Sequence, residues 1–351
     1  MRGLLIENHA RDCIGYRMSI GEYFPGKLFF AAPDLTNDRN CFALRGKRNS
    51  LNFVHLLFDI VKLAFIVSFK DINIVLTWRH KSLLFGFVLK LIFPRLKVIH
   101  HVTGMGEMVN GYFVDSFKWR VFKRMILRVD GLIVQNKEDK LLFEEFYTGK
   151  IHFMTGSGIP CPSEAELSKI RSTFLQRAEG EQLNLLYLGR FLKKKGFEQF
   201  LELSKHPYIN LRAIGGIDPE NSDSLSAEEL ESLTAGTSIE LHNFKNDLSE
   251  DWLWSDGVVL LSKYREGVPR VLIEALARGK FVVTKDAPGC STVVTKPNYL
   301  VTDKCNVEQV LAAYTNLNRS DYFDSSLKLF LDRFERKIVL RDLNSFYETY
   351  L

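Results

Sequence analysis

The stretch GVVLLSKYREGVPRVLIEALARGKFVVT, residues 257–284, contains one complete unit of an alternating α/β fold. A short apolar run at residues 257–261 leads into a polar loop, then an amphipathic segment, then a second apolar run at residues 281–284. Pro269 suits the first turn of a helix and Gly279 suits its end. Two short apolar runs joined by a helix-length segment predict parallel strands with a crossover helix.

The same alternation extends to both sides of this stretch. The strand candidates are residues 4–7, 27–31, 72–77, 97–101, 131–135 and 151–154 in the front half, and 183–188, 209–214, 239–244, 257–261 and 281–284 in the back half. Small residues and a proline at 156–160 interrupt the pattern, which places an interdomain linker there. The sequence therefore predicts an α/β protein with two doubly wound domains, whose ligands bind at the carboxyl ends of the strands.

Composition supports two globular domains and indicates an anionic partner. The chain has 351 residues, of which 46% are hydrophobic, so a disordered or fibrous protein is excluded. Residues 1–160 contain 23 Lys and Arg against 14 Asp and Glu, a net charge of +9, whereas the remainder contains 24 against 28, a net charge of −4. This asymmetry favours an anionic membrane surface or phosphorylated lipid facing the front domain, and not a nucleic acid.

Cysteine usage and apolar segments indicate a cytoplasmic protein. The five cysteines are scattered and odd in number, which fits a reducing compartment better than a disulfide framework. The apolar start at residues 3–6 is too short for a signal peptide. Residues 51–69 and 83–93 are interrupted by polar groups or too short to span a bilayer. Residues 116–129 predict a basic amphipathic helix.

Two glutamates flank the start of the helix predicted after residue 269. Glu266 precedes that helix and Glu274 lies inside it, about 12 Å away at most if the rise is 1.5 Å per residue. This span suits the two ends of a nucleotide sugar, since carboxylates accept hydrogen bonds from sugar and ribose hydroxyls. The helix amides beside them can meet a diphosphate. By spacing alone, two solvated glutamates on an ordinary strand–loop–helix are the alternative.

A lysine run follows the first strand of the back half in YLGRFLKKKG, residues 187–196. Fixed cations there can stabilise the negative charge that grows on a diphosphate leaving group. Local chemistry does not choose among Lys193, Lys194 and Lys195, and a solvated run is the alternative.

The stretches REGVPRVLIEALARG (265–279) and VVTKDAPGC (282–290) resemble the retaining glycosyltransferases of family 4, whose fold is GT-B: two Rossmann-like domains facing a cleft. The resemblance implies that Glu266 contacts the donor sugar and Glu274 the ribose. It selects Arg190 and Lys195 as the phosphate-facing cations, because that family pairs Gly-Arg with a later Lys-Gly. The implied catalytic residues are Arg190, Lys195 and Glu266. The implied donor-binding residues are Gly189, Arg190, Lys195, Glu266, Gly267, Val268, Pro269, Arg270, Val271 and Glu274.

Two loops of the front half resemble a bacterial branch of that family that builds capsules and lipopolysaccharide O-antigens. They are HHVTGMG (100–106) and GSGI (156–159). Many relatives have a histidine where Thr103 aligns, so His100 and His101 are either its functional substitutes or structural residues. The acceptor-side candidates are Arg17, His80, Lys81, His101, Thr103, Gly104 and Gly106.

The resemblance implies three segments: an acceptor-binding domain at 1–160, a nucleotide-sugar domain at 161–334, and a last helix at 335–351 that crosses back to the first. The expected reaction is retaining hexosyl transfer from a nucleoside-diphosphate sugar, expected to be a UDP-sugar, to a lipid-linked glycan acceptor such as an undecaprenyl-diphosphate-linked surface polysaccharide precursor. The expected place is the inner face of the cell membrane. No cofactor and no metal are expected, because there is no Asp-x-Asp motif.

Other functional classes make separable predictions. No Gly-x-Gly-x-x-Gly fingerprint follows the first strand and no Walker A loop is present, which disfavours dinucleotide oxidoreductases and P-loop enzymes. A GT-B sugar-nucleotide epimerase would turn over its donor without an acceptor. A non-catalytic GT-B-like assembly or glycan-binding protein would neither hydrolyse nor transfer the sugar.

Overall fold

The computed structural model describes residues 1–46, 52–105, 116–178, 180–294, 300–301 and 306–351. They form two compact units, the first made of Met1–Ser157 with Val339–Leu351 and the second of Gly158–Ile338. Each unit contains one parallel β-sheet with helices around it. The predicted class, α/β with two doubly wound sheets, is confirmed.

The sheet of the first unit has seven strands in the order β3-β2-β1-β4-β5-β6-β7, and all neighbours are parallel. The strands are β1 (Arg2–Ile6), β2 (Lys27–Pro33), β3 (Cys41–Leu44), β4 (Ile74–Trp78), β5 (Lys97–Val102), β6 (Gly131–Val134) and β7 (Lys150–Phe153). The order reverses between β1 and β4, which makes their carboxyl ends the switch point of this sheet. The edge strand β3 was not among the predicted strands.

Helices cover both faces of the first sheet, as a parallel sheet requires. They are α1 (Ala10–Asp12), α2 (Phe53–Phe69), α3 (Arg79–Ile92), α4 (Phe117–Ile126) and α5 (Lys137–Glu144), with a π-helical turn at Cys13–Arg17 and a 3₁₀ turn at Met18–Glu22. Leu4 and Ile6 point into the core beneath α2 to α5, whereas Leu5 points into the opposite core. In the described part of the chain, every helix is too short or too polar to cross a bilayer.

The predicted basic helix at 116–129 is present as α4. Ser116 caps its N-terminus by accepting a hydrogen bond from the Trp119 amide at 3.1 Å. The apolar face predicted from residue spacing is buried, with Phe122 and Ile126 almost inaccessible to solvent. Of the basic side chains, Lys118, Arg120, Arg124 and Arg128 are exposed, and Lys123 is half-buried.

The sheet of the second unit has six parallel strands in the order β10-β9-β8-β11-β12-β13. They are β8 (Leu183–Leu188), β9 (Ile209–Gly215), β10 (Glu240–Asn243), β11 (Gly257–Leu260), β12 (Phe281–Thr284) and β13 (Leu300–Val301). The helices are α6 (Glu164–Gln176), α7 (Phe197–Leu201), α8 (Ala227–Thr234), α9 (Ser249–Trp254), α10 (Arg270–Leu276), α11 (Cys290–Val293), α12 (Val307–Thr315) and α13 (Arg319–Arg333), with 3₁₀ turns at Lys193–Lys195 and Glu202–Lys205. The βαβ unit predicted from residues 257–284 is β11-α10-β12.

The last helix, α14 (Arg336–Glu348), begins in the second unit, and from Val339 onward it is part of the first. Within the first unit Tyr347 is fully buried, and its hydroxyl lies 2.9 Å from Nε2 of His101. Phe346 packs parallel to the ring of His152, with centroids 4.8 Å apart. These contacts hold the C-terminal helix against the first sheet.

A lysine is buried in the core of the second unit. Lys280 is inaccessible to solvent, and its ammonium group donates a hydrogen bond to the carbonyl of Ser255. Burial lowers the pKa of Lys280 to about 7, while Asp256 acts in the opposite direction. This side chain therefore titrates near neutral pH in the folded protein.

Candidate active site

The candidate site lies in the second unit, at the carboxyl edge of its parallel sheet. The strand order reverses between β8 and β11, so the loops that follow these two strands diverge and leave a crevice between them. The loop after β8 contains Arg190 and Lys195, and the loop after β11 contains Glu266. The two sequence motifs therefore occupy the switch point of one sheet.

The loop after β8 is fixed against the end of β11. Gly196 follows the turn at Lys193–Lys195 with φ 79°, a left-handed conformation that favours glycine. A Cβ atom on Gly196 would lie 2.5 Å from the carbonyl oxygen of Leu261. Position 196 therefore requires glycine for two reasons: the left-handed backbone conformation and the close approach to the Leu261 carbonyl. This packing sets the position of Lys195.

Lys195 and Glu266 form an ion pair at this edge. The Lys195 ammonium lies 3.0 Å from Oε1 of Glu266, and the two side chains are 21% and 19% exposed. The hydroxyl of Ser262 donates to the same carboxylate oxygen at 2.9 Å. A cation and a carboxylate are therefore held side by side, half-sheltered from water.

A second close approach holds the loop around Glu266. Gly289 has φ 85°, and a Cβ on it would lie 2.4 Å from the carbonyl oxygen of Gly267 and 2.5 Å from that of Glu266. The loop after β12 therefore packs on the backbone of the loop after β11. Pro269 follows in extended conformation, and α10 begins at Arg270.

Glu274 lies in α10, and its carboxylate accepts a hydrogen bond from Arg270 at 3.3 Å. Its side chain is 25% exposed. The sequence-based assignment of one glutamate to the loop and one to the helix agrees with the structure. Val268 and Val271 are half-buried beside them.

The structure separates the three lysines of the run. Lys193 pairs with Glu229 at 2.7 Å on the surface, with side chains 46% and 45% exposed. The backbone amide of Lys194 donates to the carboxylate of Asp223 at 3.0 Å. The Lys195 side chain pairs with Glu266.

Arg190 is exposed and forms an ion pair with Asp218, which follows β9. The carboxylate of Asp218 accepts a hydrogen bond from the Arg190 guanidinium. Among the described residues, no group of three or more His, Cys, Asp or Glu side chains is arranged to hold a metal ion. Gly189, with φ 154°, has open space where a side chain would be.

Sequence reasoning missed the carboxylate that joins these loops. Asp223 accepts a hydrogen bond from the hydroxyl of Tyr264 at 2.6 Å, as well as the one from the Lys194 amide. Burial, and after it this hydrogen bond, raise the pKa of Tyr264. Asp223 thereby connects the loops that follow β8, β9 and β11, a role for which no local sequence signal exists.

The acceptor-side candidates of the first unit have different environments. Arg17 is buried and pairs with Glu7 at 3.2 Å, and its guanidinium lies 4.9 Å from the ring centroid of Trp78. His101 is 1% exposed, and its ring stacks on Trp78 at 3.7 Å. Burial lowers the pKa of His101, so its imidazole is neutral at pH 7. These three side chains line a small internal cavity.

The other candidates follow β4 and β5. His80 is exposed and its ring meets Phe122 edge-on at 5.2 Å, while Lys81, Thr103 and Gly104 are half-buried. Gly106 lies outside the described residues.

His100 is 2% exposed, and its Nδ1 lies 2.9 Å from the hydroxyl of Thr77. Burial lowers the pKa of His100 to about 3. His100 is therefore a buried, neutral side chain within the first unit.

Sequence reasoning also missed an ion pair at the switch point of the first sheet. Arg79 follows β4 with φ 65°, an unusual value for a non-glycine residue, and pairs with Asp12 at 2.7 Å. Asp12 follows β1, so the pair bridges the loops where the strand order reverses.

Comparison with known protein families gives a match in the back half of the chain. Residues 171–322 match the family model described as glycosyl transferases group 1. That segment includes Arg190, Lys195, Glu266 and Glu274. No curated protein matches the chain in sequence.

The solved structures that are similar in fold over the whole chain include three that illustrate the range of relatives. The sucrose-phosphate synthase of Thermosynechococcus elongatus has 17% identity and a TM-score of 0.78, with 99% of this chain and 98% of that one covered. Anabaena HepE in complex with UDP-glucose has 15% identity and a TM-score of 0.76, with both chains fully covered. The lipopolysaccharide outer core galactosyltransferase WaaB has 12% identity and a TM-score of 0.68, again with both chains fully covered.

These likenesses establish the GT-B fold, and the group 1 match over residues 171–322 makes the chain a glycosyltransferase. The prediction of this enzyme class from the sequence is confirmed.

Proposed function

We propose that this chain is a retaining, metal-independent hexosyltransferase of the family 4 type. It transfers a sugar from a UDP-sugar to a hydroxyl of a lipid-linked glycan, an undecaprenyl-diphosphate-linked precursor of a surface polysaccharide. The observation that carries the proposal is the contact between Lys195 and Glu266 at the switch point of the second sheet. The named ligand of HepE, UDP-glucose, supports the choice of nucleotide. The named activity of WaaB supports the class of acceptor.

In this reaction the bond between the anomeric carbon and the donor phosphate breaks, and a bond from the acceptor oxygen forms on the same face of the sugar. The acceptor proton passes to the leaving diphosphate. Lys195 and Arg190 stabilise the charge that grows on that diphosphate, which is where fixed cations are most effective. They supply the charge that a metal ion provides in other transferases.

Glu266 binds the sugar in this proposal and does not act as a base. Its carboxylate, held by Lys195 and Ser262, is oriented to accept hydrogen bonds from sugar hydroxyls. Glu274 accepts hydrogen bonds from the ribose, with Arg270 holding its carboxylate. Positioning and charge stabilisation are then the main contributions of the protein.

On the acceptor side we propose His80, Lys81, Thr103, Gly104 and Gly106 as contacts. We assign Arg17 and His101, which are buried, to the support of that surface. The roles of the two units, acceptor binding for the first and donor binding for the second, are part of the same proposal.

Thermal unfolding of the purified protein with UDP, GDP or ADP tests the donor assignment. A ligand at a hundredfold excess over its dissociation constant adds about 2.7 kcal/mol to the free energy of unfolding. We expect UDP to stabilise the protein most. A larger effect of GDP or ADP would contradict the choice of nucleotide, and no effect of any nucleotide would favour a non-catalytic protein.

Transfer assays separate the catalytic alternatives. With UDP-hexoses and polyprenyl-diphosphate glycans we expect a product whose new bond keeps the anomeric configuration of the donor, as read by NMR. Turnover of the donor to its epimer without acceptor would identify an epimerase. A product of opposite configuration would exclude the retaining mechanism.

We further propose that the protein acts at the inner face of the cell membrane, held by charge. The side chains of Lys118, Arg120 and Arg124 are exposed on α4. Attraction to an anionic surface is worth about 1 kcal/mol per basic residue and decays within a Debye length. Binding to phosphatidylglycerol vesicles should therefore weaken as salt rises, and weaken when these three residues are replaced by Ala.

The matched control removes three exposed cations from the second unit, at Lys169, Lys205 and Lys328. We expect this variant to bind vesicles like the wild type. Equal loss in both triple variants would show that total charge matters and the α4 surface does not.

A further inference from the structure

Helix α2 exposes an apolar face to solvent. Six large side chains of this helix, which we call the apolar stripe, are between 47% and 70% exposed: Val54, Leu57, Phe58, Val61, Phe65 and Phe69. At 100° per residue they fall within an arc of about 120°. The arc is turned away from Leu63 and Ile66, which are buried against the first sheet. Exposed apolar surface of this extent marks an interaction site.

The arc of the stripe contains no charged side chain. Its one polar member is Ser68. The acidic residue of the helix, Asp59, is fully buried and accepts hydrogen bonds from the backbone amides of Arg45 and Gly46 at 2.8 and 2.9 Å. The outer surface of α2 is therefore suited to contact with an apolar medium.

Cations lie beside two phenylalanines of the stripe. The guanidinium of Arg45 lies 3.7 Å from the ring centroid of Phe58, and the ammonium of Lys70 lies 5.3 Å from that of Phe69. The acidic neighbour at the C-terminal end, Asp71, lies 3.9 Å from Arg2. Basic groups beside an apolar face match the chemistry of an anionic lipid monolayer, where phosphates lie above the acyl chains.

The same charges disfavour a second copy of the chain as the occupant. Two stripes packed face to face would gather the Arg45 and Lys70 side chains of both copies around one apolar contact. Like charges would then lie beside a low-dielectric contact, whereas anionic lipid neutralises them.

We propose that the apolar stripe inserts into the boundary between headgroups and acyl chains of an anionic membrane, with Arg45 and Lys70 at the level of the phosphates. The helix lies in the plane of the interface, as its length and sequence do not let it span the bilayer. Helix α4, with its exposed basic side chains, covers the same face of the first sheet. This inference deepens the proposed membrane attachment and is independent of the transfer chemistry.

Vesicle sedimentation tests the stripe directly. The probe is vesicles of phosphatidylcholine with about one-third phosphatidylglycerol, and the variant replaces Val61 and Phe65 by Ser. We expect binding at least about tenfold weaker than that of the wild type, because the variant lacks the apolar surface whose transfer from water into lipid stabilises the bound state. The control Phe244→Ser, which removes an exposed phenylalanine from the second unit, should bind normally. Wild-type binding by the stripe variant would overturn the inference.

Depth of insertion distinguishes immersion from adsorption by charge alone. In a Phe65→Trp variant, lipids brominated on the acyl chain should quench fluorescence beyond the quenching seen in the wild type, whose four tryptophans are the background. No excess quenching in the vesicle-bound variant would contradict immersion of the stripe.

Two further measurements on the same samples complete the test. Light scattering without lipid should show the same oligomeric state for the wild type and the stripe variant, and a dimer lost in the variant would instead assign the stripe to a second copy. Thermal stabilisation by UDP should be equal in both proteins. If the wild type binds vesicles through the stripe but does not bind UDP, the donor assignment fails and the membrane inference stands.

Discussion

Replacing Lys195 by Ala should nearly abolish sugar transfer, while replacing its neighbours should not. At about 4 Å, a pair of unit charges interacts by about 4 kcal/mol at an effective dielectric constant of 20 and by about 1 kcal/mol in water. Lys195 is 21% exposed beside Glu266, so the larger interaction energy, about 4 kcal/mol, applies to it. Lys193 is 46% exposed, so the value for water, about 1 kcal/mol, applies to it.

Only the part of the attraction between Lys195 and the diphosphate that grows in the transition state accelerates the reaction. A preorganised donor facing developing charge is worth about 3 to 4 kcal/mol, or about two to three orders of magnitude in rate. We therefore expect kcat/KM of Lys195→Ala to fall by about 100- to 1,000-fold. Lys193→Ala removes a surface ion pair and should stay within about fivefold of the wild type, as should Lys194→Ala.

Steady-state transfer from the UDP-sugar identified by the stability screen is the assay, with unfolding temperature as the control for folding. Arg190→Ala should resemble Lys195→Ala, because both cations face the same diphosphate in the proposed complex. Equal losses in all three lysine variants, or the largest loss in Lys194→Ala, would refute the assignment of Lys195 as the phosphate ligand.

Three other predictions follow from the second unit. Glu274→Ala should mainly raise KM for the nucleotide sugar, because a ribose contact exists in both ground and transition states, whereas Glu266→Ala should also lower kcat; wild-type kinetics in both would contradict their roles. Gly196→Ala should lower the free energy of unfolding by more than about 1 kcal/mol in thermal melts, because the new Cβ would meet a backbone oxygen at 2.5 Å in a left-handed conformation; an unchanged melting temperature would argue against that loop geometry. The pKa of Lys280 is about 7 in the folded state and about 10.4 unfolded, so above pH 7 the unfolded chain holds a proton that the folded one has lost. The free energy of unfolding should then rise by up to about 1.4 kcal/mol per unit between pH 7 and 8.5 in urea titrations, and Lys280→Met should remove that slope.

Local patterns predicted the elements of both sheets. Apolar runs of strand length alternate with helix-length segments, and the strand candidates in the two halves correspond to β1, β2 and β4 to β12. The edge strands β3 and β13 were not predicted; β13 has two residues, which are too few to show a periodicity. The amphipathic pattern of residues 116–129 was sufficient because it repeats over several turns.

The sequence by itself determined the fold class and the order of most elements, and it offered Glu266, Glu274 and the lysine run as candidate site residues. Each of these depends on spacing within one segment: Glu266 before a helix, Glu274 within it, and a lysine run after a strand. When each segment is considered separately, these side chains could also be ordinary surface residues in contact with water.

Only the tertiary structure decided which of these side chains meet. Pairing of β8 with β11 brings Lys195 to Glu266. The hydrophobic pattern of each segment does not show which strands become neighbours in the sheet. The same holds for Arg17 and His101, which the packing of α14 and Trp78 buries. Apolar residues lie on more than one face of helix α2, so the choice of its exposed face required the packing of Leu63 and Ile66 against the sheet.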